Sequence, residues 1–269
     1  MNYKLEKIQK VQVNDKIELA YEFINIHNEE KPLLIFLHEG LGSIAQWKSF
    51  PRELCEKLNL NGLVYERYGY GYSTPFLEKR KPDYLYREGD YFLPLLMKKL
   101  GLENKEVILI GHSDGASVAL IYAACFPKNI KAVVSMAAHV FVDEQSIKGI
   151  KEAYDFYLSG PTLKNALKRY HFDHTDSTFM AWAELWQTPE FIKFNMEHLL
   201  PKIEAPILAI QGLQDEYGLP SQITSIVNNG SNANNEALFL EDTKHSPHFE
   251  KKEDVINAIT KFLLKNKAL

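Results

Sequence analysis

Ser113, Asp215 and His245 have the residue types and the order in the chain that nucleophilic catalysis needs. A serine hydroxyl attacks a carbonyl when a base takes its proton, and an imidazole serves as that base when a carboxylate orients its ring. Ser113 stands in Gly111-His112-Ser113-Asp114-Gly115, a G-x-S-x-G pattern. An apolar run, Val107–Ile110, precedes it and a helix-like run, Ala116–Phe126, follows. In that setting the pattern predicts a sharp strand-to-helix turn, with glycines allowing close approach and the hydroxyl standing free at the carboxyl end of a sheet. Read without its setting, Ser113 is a plain turn serine. Asp215 follows the run Ile207–Ile210, and His245 follows Ala237–Leu240. Each of the three therefore sits in a loop after a strand, and all can converge on one sheet edge.

Rival residues stand nearby. His248 lies three positions past His245, where a last helix begins, and Glu216 adjoins Asp215; His245 is preferred over His248 because it falls first after the strand. His171-Phe172-Asp173-His174 with Asp176 has a spacing that zinc accepts, but no partner motif accompanies it. It reads as a polar turn or surface helix. His112 is expected beneath the turn that carries Ser113. Gly69-Tyr70-Gly71 is too short for a dinucleotide fingerprint.

The elements that must position these residues are short. Leu33–Leu37, Val107–Ile110, Ala132–Met136 and Ile207–Ile210 are strand-length and apolar throughout, as in parallel strands covered on both faces. Ala116–Phe126 is apolar nearly all round and reads as a buried helix, whereas Val255, Ile256, Ile259, Phe262 and Leu263 form the stripe of a final amphipathic helix. Ile17, Leu19, Tyr21 and Phe23 alternate with polar residues, as in a half-exposed antiparallel strand. The plan is α/β: a mostly parallel central sheet with helices on both faces. Strand signals stop after Ala137 and resume at Ile207. The expected division is a core of residues 1–139 and 204–269 with a helical cap, 140–203, inserted between two sheet strands, since an excursion of roughly sixty residues is usually functional. His139 opens that insertion, and Trp182 and Trp186 share one face of a helix within it. These three are the expected substrate contacts, in a mostly apolar site. Asn228–Asn235 reads as a solvent loop.

Composition narrows the classes. The chain has 269 residues, 45% hydrophobic and 25% charged, with a formal net charge of −4. That is ordinary for a globular protein and excludes disorder, collagen and coiled coil. No basic excess points to a nucleic acid, and no run reaches the ~18 apolar residues of a membrane span. Met1–Lys7 has no apolar stretch of signal-peptide length, so the cytoplasm is the default expectation. Cys55 and Cys125 are expected as reduced thiols.

The chain resembles the α/β-hydrolase superfamily over nearly its whole length. The resemblance rests on His38-Glu39-Gly40-Leu41-Gly42, Arg67-Tyr68-Gly69-Tyr70-Gly71-Tyr72-Ser73, the turn at Ser113, Asp215 and His245. It implies an oxyanion hole built from the N–H of Gly40, with Leu41 as a substitute, and the N–H of Asp114. Fixed donors of this kind contribute about 2.7–4 kcal/mol each. Two carboxylates, Glu39 and Asp114, depart from the usual pattern. They would repel an anionic substrate if they faced inward, and both are expected to point away. Tyr68, Tyr70 and Tyr72 are expected to support the site without touching substrate.

Together, these residues and the resemblance imply a serine hydrolase acting on an ester or related acyl bond of a small, largely apolar molecule, with no metal or organic cofactor. Serine at position 113 disfavours the branches of the superfamily that use aspartate there. Thioester, lactone, peptide and carbon–carbon hydrolysis run on the same three residues, and a non-catalytic ligand-binding protein of this fold would keep the same pocket. The expected partner is a small-molecule substrate, with neither nucleic acid nor membrane; the oligomeric state stays open.

Overall fold

The computed structural model describes residues 8–269. Met1–Lys7, on which the expectation about a signal peptide rested, lies outside the described residues. The chain runs β1 (Gln9–Asn14), β2 (Ile17–Ile24), β3 (Leu33–Leu37), α1 (Phe50–Leu58), β4 (Gly62–Tyr65), α2 (Tyr84–Arg87), α3 (Leu93–Lys99), β5 (Val107–His112), α4 (Asp114–Cys125) and β6 (Ile130–Met136). Then come α5 (Glu144–Ser159), α6 (Pro161–His171), α7 (Thr175–Trp186), β7 (Ile207–Gly212), α8 (Ser221–Asn229), β8 (Glu236–Leu240), α9 (Pro247–Glu250) and α10 (Lys252–Lys265).

The eight strands form one sheet in the order β1-β2-β4-β3-β5-β6-β7-β8. β1 and β2 pair antiparallel, as does β2 with β4, and the remaining pairs are parallel. Strand residues alternate between two cores. Leu33, Ile35 and Leu37 join α3, α4 and α8 on one face, while Leu34 and Phe36 join α1 and α10 on the other. A period of two with both faces apolar explains why these strands read as unbroken hydrophobic runs.

β2 departs from the half-exposed strand its alternation suggests: Ala20 and Glu22 are buried. The segment after β4 lies along it, with Ala20 N–H donating to Ser73 Oγ and Thr74 N–H to the Glu18 carbonyl. A covered strand can still alternate when a neighbouring loop supplies polar partners. Asn228 and Asn229 are the last residues of α8 rather than loop. Cys55 is buried, Cys125 is exposed, and both thiols are free.

The strand order reverses between β3 and β5, because β4 lies beyond β3 on one side and β6 beyond β5 on the other. Open α/β sheets bind ligands at such a switch point, outside the carboxyl ends of the strands. Residues 38–42 and Ser113 leave the sheet there. Between β6 and β7 the chain is helical apart from an isolated bridge, Phe141 to Asn195. Among the described residues, no helix is long and apolar enough to cross a membrane.

Candidate active site

Ser113 joins β5 to α4 with φ 54° and ψ −122°, a left-handed backbone that a non-glycine residue adopts only under constraint. The constraint is visible on both sides. A Cβ on Gly115 would meet the Leu37 carbonyl oxygen at 2.0 Å, and one on Gly111 would meet Ala116 Cα at 2.4 Å. Only glycine lets α4 approach β3 and β5 this closely, and the Ser113 N–H is anchored on the Met136 carbonyl at 2.8 Å.

The structure brings Ser113, His245 and Asp215 together. Ser113 Oγ lies 2.9 Å from His245 Nε2, and His245 Nδ1 lies 2.8 Å from Asp215 Oδ1. Asp215 is held in turn by the Tyr217 N–H at 2.8 Å and by Gln211 Nε2 at 3.2 Å. Burial alone would raise the Asp215 carboxyl, but the His245 ring outweighs it and holds the group below its usual range. Burial would likewise lower His245; the Asp215 carboxylate outweighs this and moves the imidazole above its ordinary value. The rivals stand elsewhere. Glu216 accepts the His245 backbone N–H at 3.3 Å, and His248 is buried against Trp47 and His112. His112 sits beneath the turn, with Nε2 2.8 Å from the His245 carbonyl.

A cavity of about 130 Å³ opens over Ser113. Gly40, Leu41, Asp114, His139, Trp182, Trp186 and Tyr217 line it. The insertion thus brings both tryptophans to the cavity. Trp182 also explains Gly40, since a Cβ there would lie 2.4 Å from the indole Nε1. His139 Nε2 donates to the Tyr217 carbonyl at 2.8 Å. The N–H groups of Gly40 and Asp114 have no acceptor among the described residues.

The two unusual carboxylates behave differently. Asp114 turns its side chain away from the cavity and buries it: Oδ2 accepts the Tyr84 hydroxyl at 2.8 Å and lies 3.4 Å from Arg67 Nη1. Glu39 keeps its side chain 25% exposed, with Oε2 3.5 Å from His112 Nδ1. Burial would raise the Glu39 carboxyl, but the His112 ring holds it well below the usual carboxylate range. It is curled over Gly42, where an added Cβ would meet it at 2.5 Å, so glycine at that position makes room for it.

Arg67 is the residue whose role the sequence did not disclose. Its guanidinium is fully buried between the two segments that line the cavity floor. Nη2 donates to the Glu39 carbonyl at 2.7 Å, while the opposite side reaches Asp114. The Arg67 N–H donates to His38 Nε2 at 3.0 Å, and His38 Nδ1 donates to the same Glu39 carbonyl. Trp186 Nε1 donates to the Tyr84 hydroxyl at 2.8 Å and so extends this chain into α7. Of the tyrosines after β4, Tyr70 is buried under Arg67, Tyr68 is half-buried and Tyr72 is exposed.

His171 is no surface residue, contrary to the polar-turn reading. It is fully buried at the end of α6, where Nδ1 accepts the Gly71 N–H at 3.1 Å and Nε2 donates to the Leu41 carbonyl at 2.9 Å. Burial drives its pKa down to about 4, so it is neutral and fully engaged as a clamp between the insertion and residues 38–42. Asp176 pairs with Lys164. Among the described residues, no group of three or more His, Cys, Asp or Glu is placed to hold a metal ion.

Arg67→Met is expected to cost about 3–5 kcal/mol of stability, because it strands the buried Asp114 carboxylate. A urea melt with an unchanged slope reads this as a lower midpoint. A loss under about 1 kcal/mol would show that Tyr84 alone satisfies Asp114.

A family model described as alpha/beta hydrolase fold matches residues 32–191. The serine hydrolase BPHL of Mus musculus is 29% identical over 211 residues, spanning 77% of this chain and 69% of that one. A proline iminopeptidase of Clostridium botulinum is 26% identical and spans 91% and 94%. A thermophilic esterase from Thermogutta terrifontis superposes with a TM-score of 0.71 at 19% identity, over 97% of this chain and 99% of that one; at that identity the likeness shows the fold.

Proposed function

Because the chain belongs to the alpha/beta-hydrolase fold family, we propose that it is a serine hydrolase cleaving short acyl esters through Ser113, His245 and Asp215. The observation that carries the reading is the unbroken relay of 2.9 Å and 2.8 Å from the Ser113 hydroxyl to the Asp215 carboxylate. His245 Nε2 takes the hydroxyl proton as Oγ bonds to the substrate carbonyl carbon. The oxygen that becomes negative is held by the Gly40 and Asp114 N–H groups. The imidazolium returns its proton to the leaving oxygen, giving an acyl-enzyme. Water attacks it with His245 again as base, and the acid leaves. Asp215 orients the ring and stabilises its charged form throughout.

Residues 140–203 act as a cap in this reading, with Trp182 and Trp186 closing the acyl site. The cavity of about 130 Å³ favours a short acyl group. The Glu39 carboxylate, near enough to His245 to raise its pKa, disfavours an anionic one. Lactone and carbon–carbon bond cleavage use the same relay and belong in the substrate panel.

A fluorophosphonate probe tests the nucleophile. Mass spectrometry should find Ser113 modified in the folded protein and no label in His245→Ala. Folded wild-type protein that stays unlabelled sinks the proposal and favours a ligand-binding role. A charge panel tests the wall: 4-nitrophenyl propionate should exceed the 4-nitrophenyl hemisuccinate monoanion in kcat/KM on the order of tenfold or more, and Glu39→Gln should narrow that ratio. Equal rates on both esters would remove Glu39 from substrate selection.

A further inference from the structure

A second cavity, of about 350 Å³, lies between the β1–β2 hairpin, the 76–83 loop and α2, and shares no lining residue with the cavity over Ser113. Its wall joins an apolar patch, Ile17, Phe76 and Phe92 beside Tyr68, to charged side chains. Tyr84 separates the two spaces: its ring lines the larger one and its hydroxyl holds Asp114.

Arg80 is the unusual member of that wall. It is 8% exposed, and its guanidinium lies 4.2 Å from the Tyr84 ring centre and 4.8 Å from that of Phe76. Nη2 donates to the Tyr70 hydroxyl, whereas the buried Nη1 has no acceptor among the described residues. No carboxylate of the described residues comes within ion-pair distance of it, although Arg67, the other buried arginine, has Asp114. Glu88 is the buried carboxylate that its charge reaches, so the open feature is the unpartnered Nη1 edge, and a planar guanidinium edge matches a carboxylate. Glu88 also lines the cavity with its Oε2 unpartnered. Burial raises that carboxyl to about 7, so below neutral pH it is a proton donor to an occupant's oxygen. Lys16, Lys79, Lys81 and Arg87 stand beside Asp15, Glu78 and Asp83 around it and favour neither sign, so the charge of the occupant is read from the open Arg80 edge.

We infer that this cavity is a binding site, separate from the Ser113 pocket, for a small monocarboxylic acid with an apolar body, whose carboxylate pairs with Arg80 while its hydrocarbon lies among Ile17, Phe76 and Phe92. The size suits such a molecule, since small-ligand sites start near 300 Å³.

The probe is 4-phenylbutyrate, titrated by calorimetry into wild-type protein and into Ser113→Ala. Both should bind it with the same affinity, because Ser113 takes no part. The uncharged 4-phenylbutyramide and the variant Arg80→Gln should each weaken binding tenfold or more. Intermolecular NOEs from the probe's phenyl protons to the Phe76 and Phe92 rings place it without any variant, which keeps the test valid if Arg80→Gln fails to fold. Saturable binding with those contacts supports the inference. No heat at millimolar probe, equal affinity for the amide, or NOEs to the Trp182 and Trp186 indoles instead would each overturn it. None of these readouts depends on turnover, so the result stands apart from the hydrolase proposal.

Discussion

Ser113→Ala is expected to lower kcat on a short-chain ester by roughly a millionfold, the scale on which removal of a nucleophile acts when three residues work as a unit. The substitution takes away one oxygen and leaves everything that shapes the site. The Ser113 N–H still donates to the Met136 carbonyl, and the backbone strain at φ 54° is the same for alanine as for serine. Removing Oγ frees only His245 Nε2, which faces a cavity that admits water. The variant should therefore unfold at the same urea midpoint as the parent while losing fluorophosphonate labelling completely. What activity remains comes from the oxyanion donors and from proximity. Residual kcat above about one hundredth of the parent would mean that another group performs the attack.

Asp215→Asn is expected to cost about 10⁴-fold in kcat with the geometry kept, because an amide can present its N–H to His245 Nδ1 and favour the wrong tautomer. It should also move the pH profile. In the parent the carboxylate raises the His245 pKa. The base works only when neutral, so activity falls as pH drops through that raised value. Without the negative charge the imidazole releases its proton more readily, and the acid limb of kcat/KM shifts to lower pH. The measurement is kcat/KM for wild type and variant from about pH 5 to about pH 9. An acid limb that stays in place would assign it to another group, with Glu66 the first to examine: burial raises its carboxyl to about 7. An increase in rate would sink the assigned role of Asp215.

Much of this architecture is legible in the residues, and the illegible part has a physical reason. Runs such as Leu33–Leu37 alternate between two apolar cores, so burial on both faces is written directly into composition. The turn at Ser113 is legible because its glycines are forced by contacts with backbone atoms of adjacent elements. β1, Gln9–Asn14, is an edge strand with little buried side chain and so carries almost no hydrophobic signal. The network under the site is the hardest to foresee. Arg67 and Asp114 are 47 positions apart, and Tyr84 and Trp186 are 102. No local period marks such pairs. Only the sheet order that brings the end of β4 beside β3, and α7 across α2, makes them neighbours.

The last strand has a consequence for the native state's smaller fluctuations. β8 is hydrogen-bonded to the sheet along one side only, by β7, and its residues alternate between half-buried and exposed. The loop it leads into offers its N–H groups to side-chain acceptors, Gln214 for Thr243, Glu250 for Lys244 and Glu216 for His245. Proteins open in cooperative units, and a margin held this way opens at lower free energy than the central strands. Such an opening is expected to displace the His245 imidazole while β3, β5 and β6 remain folded. Amide exchange in β8 is therefore expected to outpace that in β3, β5 and β6, and warming is expected to lower activity at temperatures where most of the secondary structure persists.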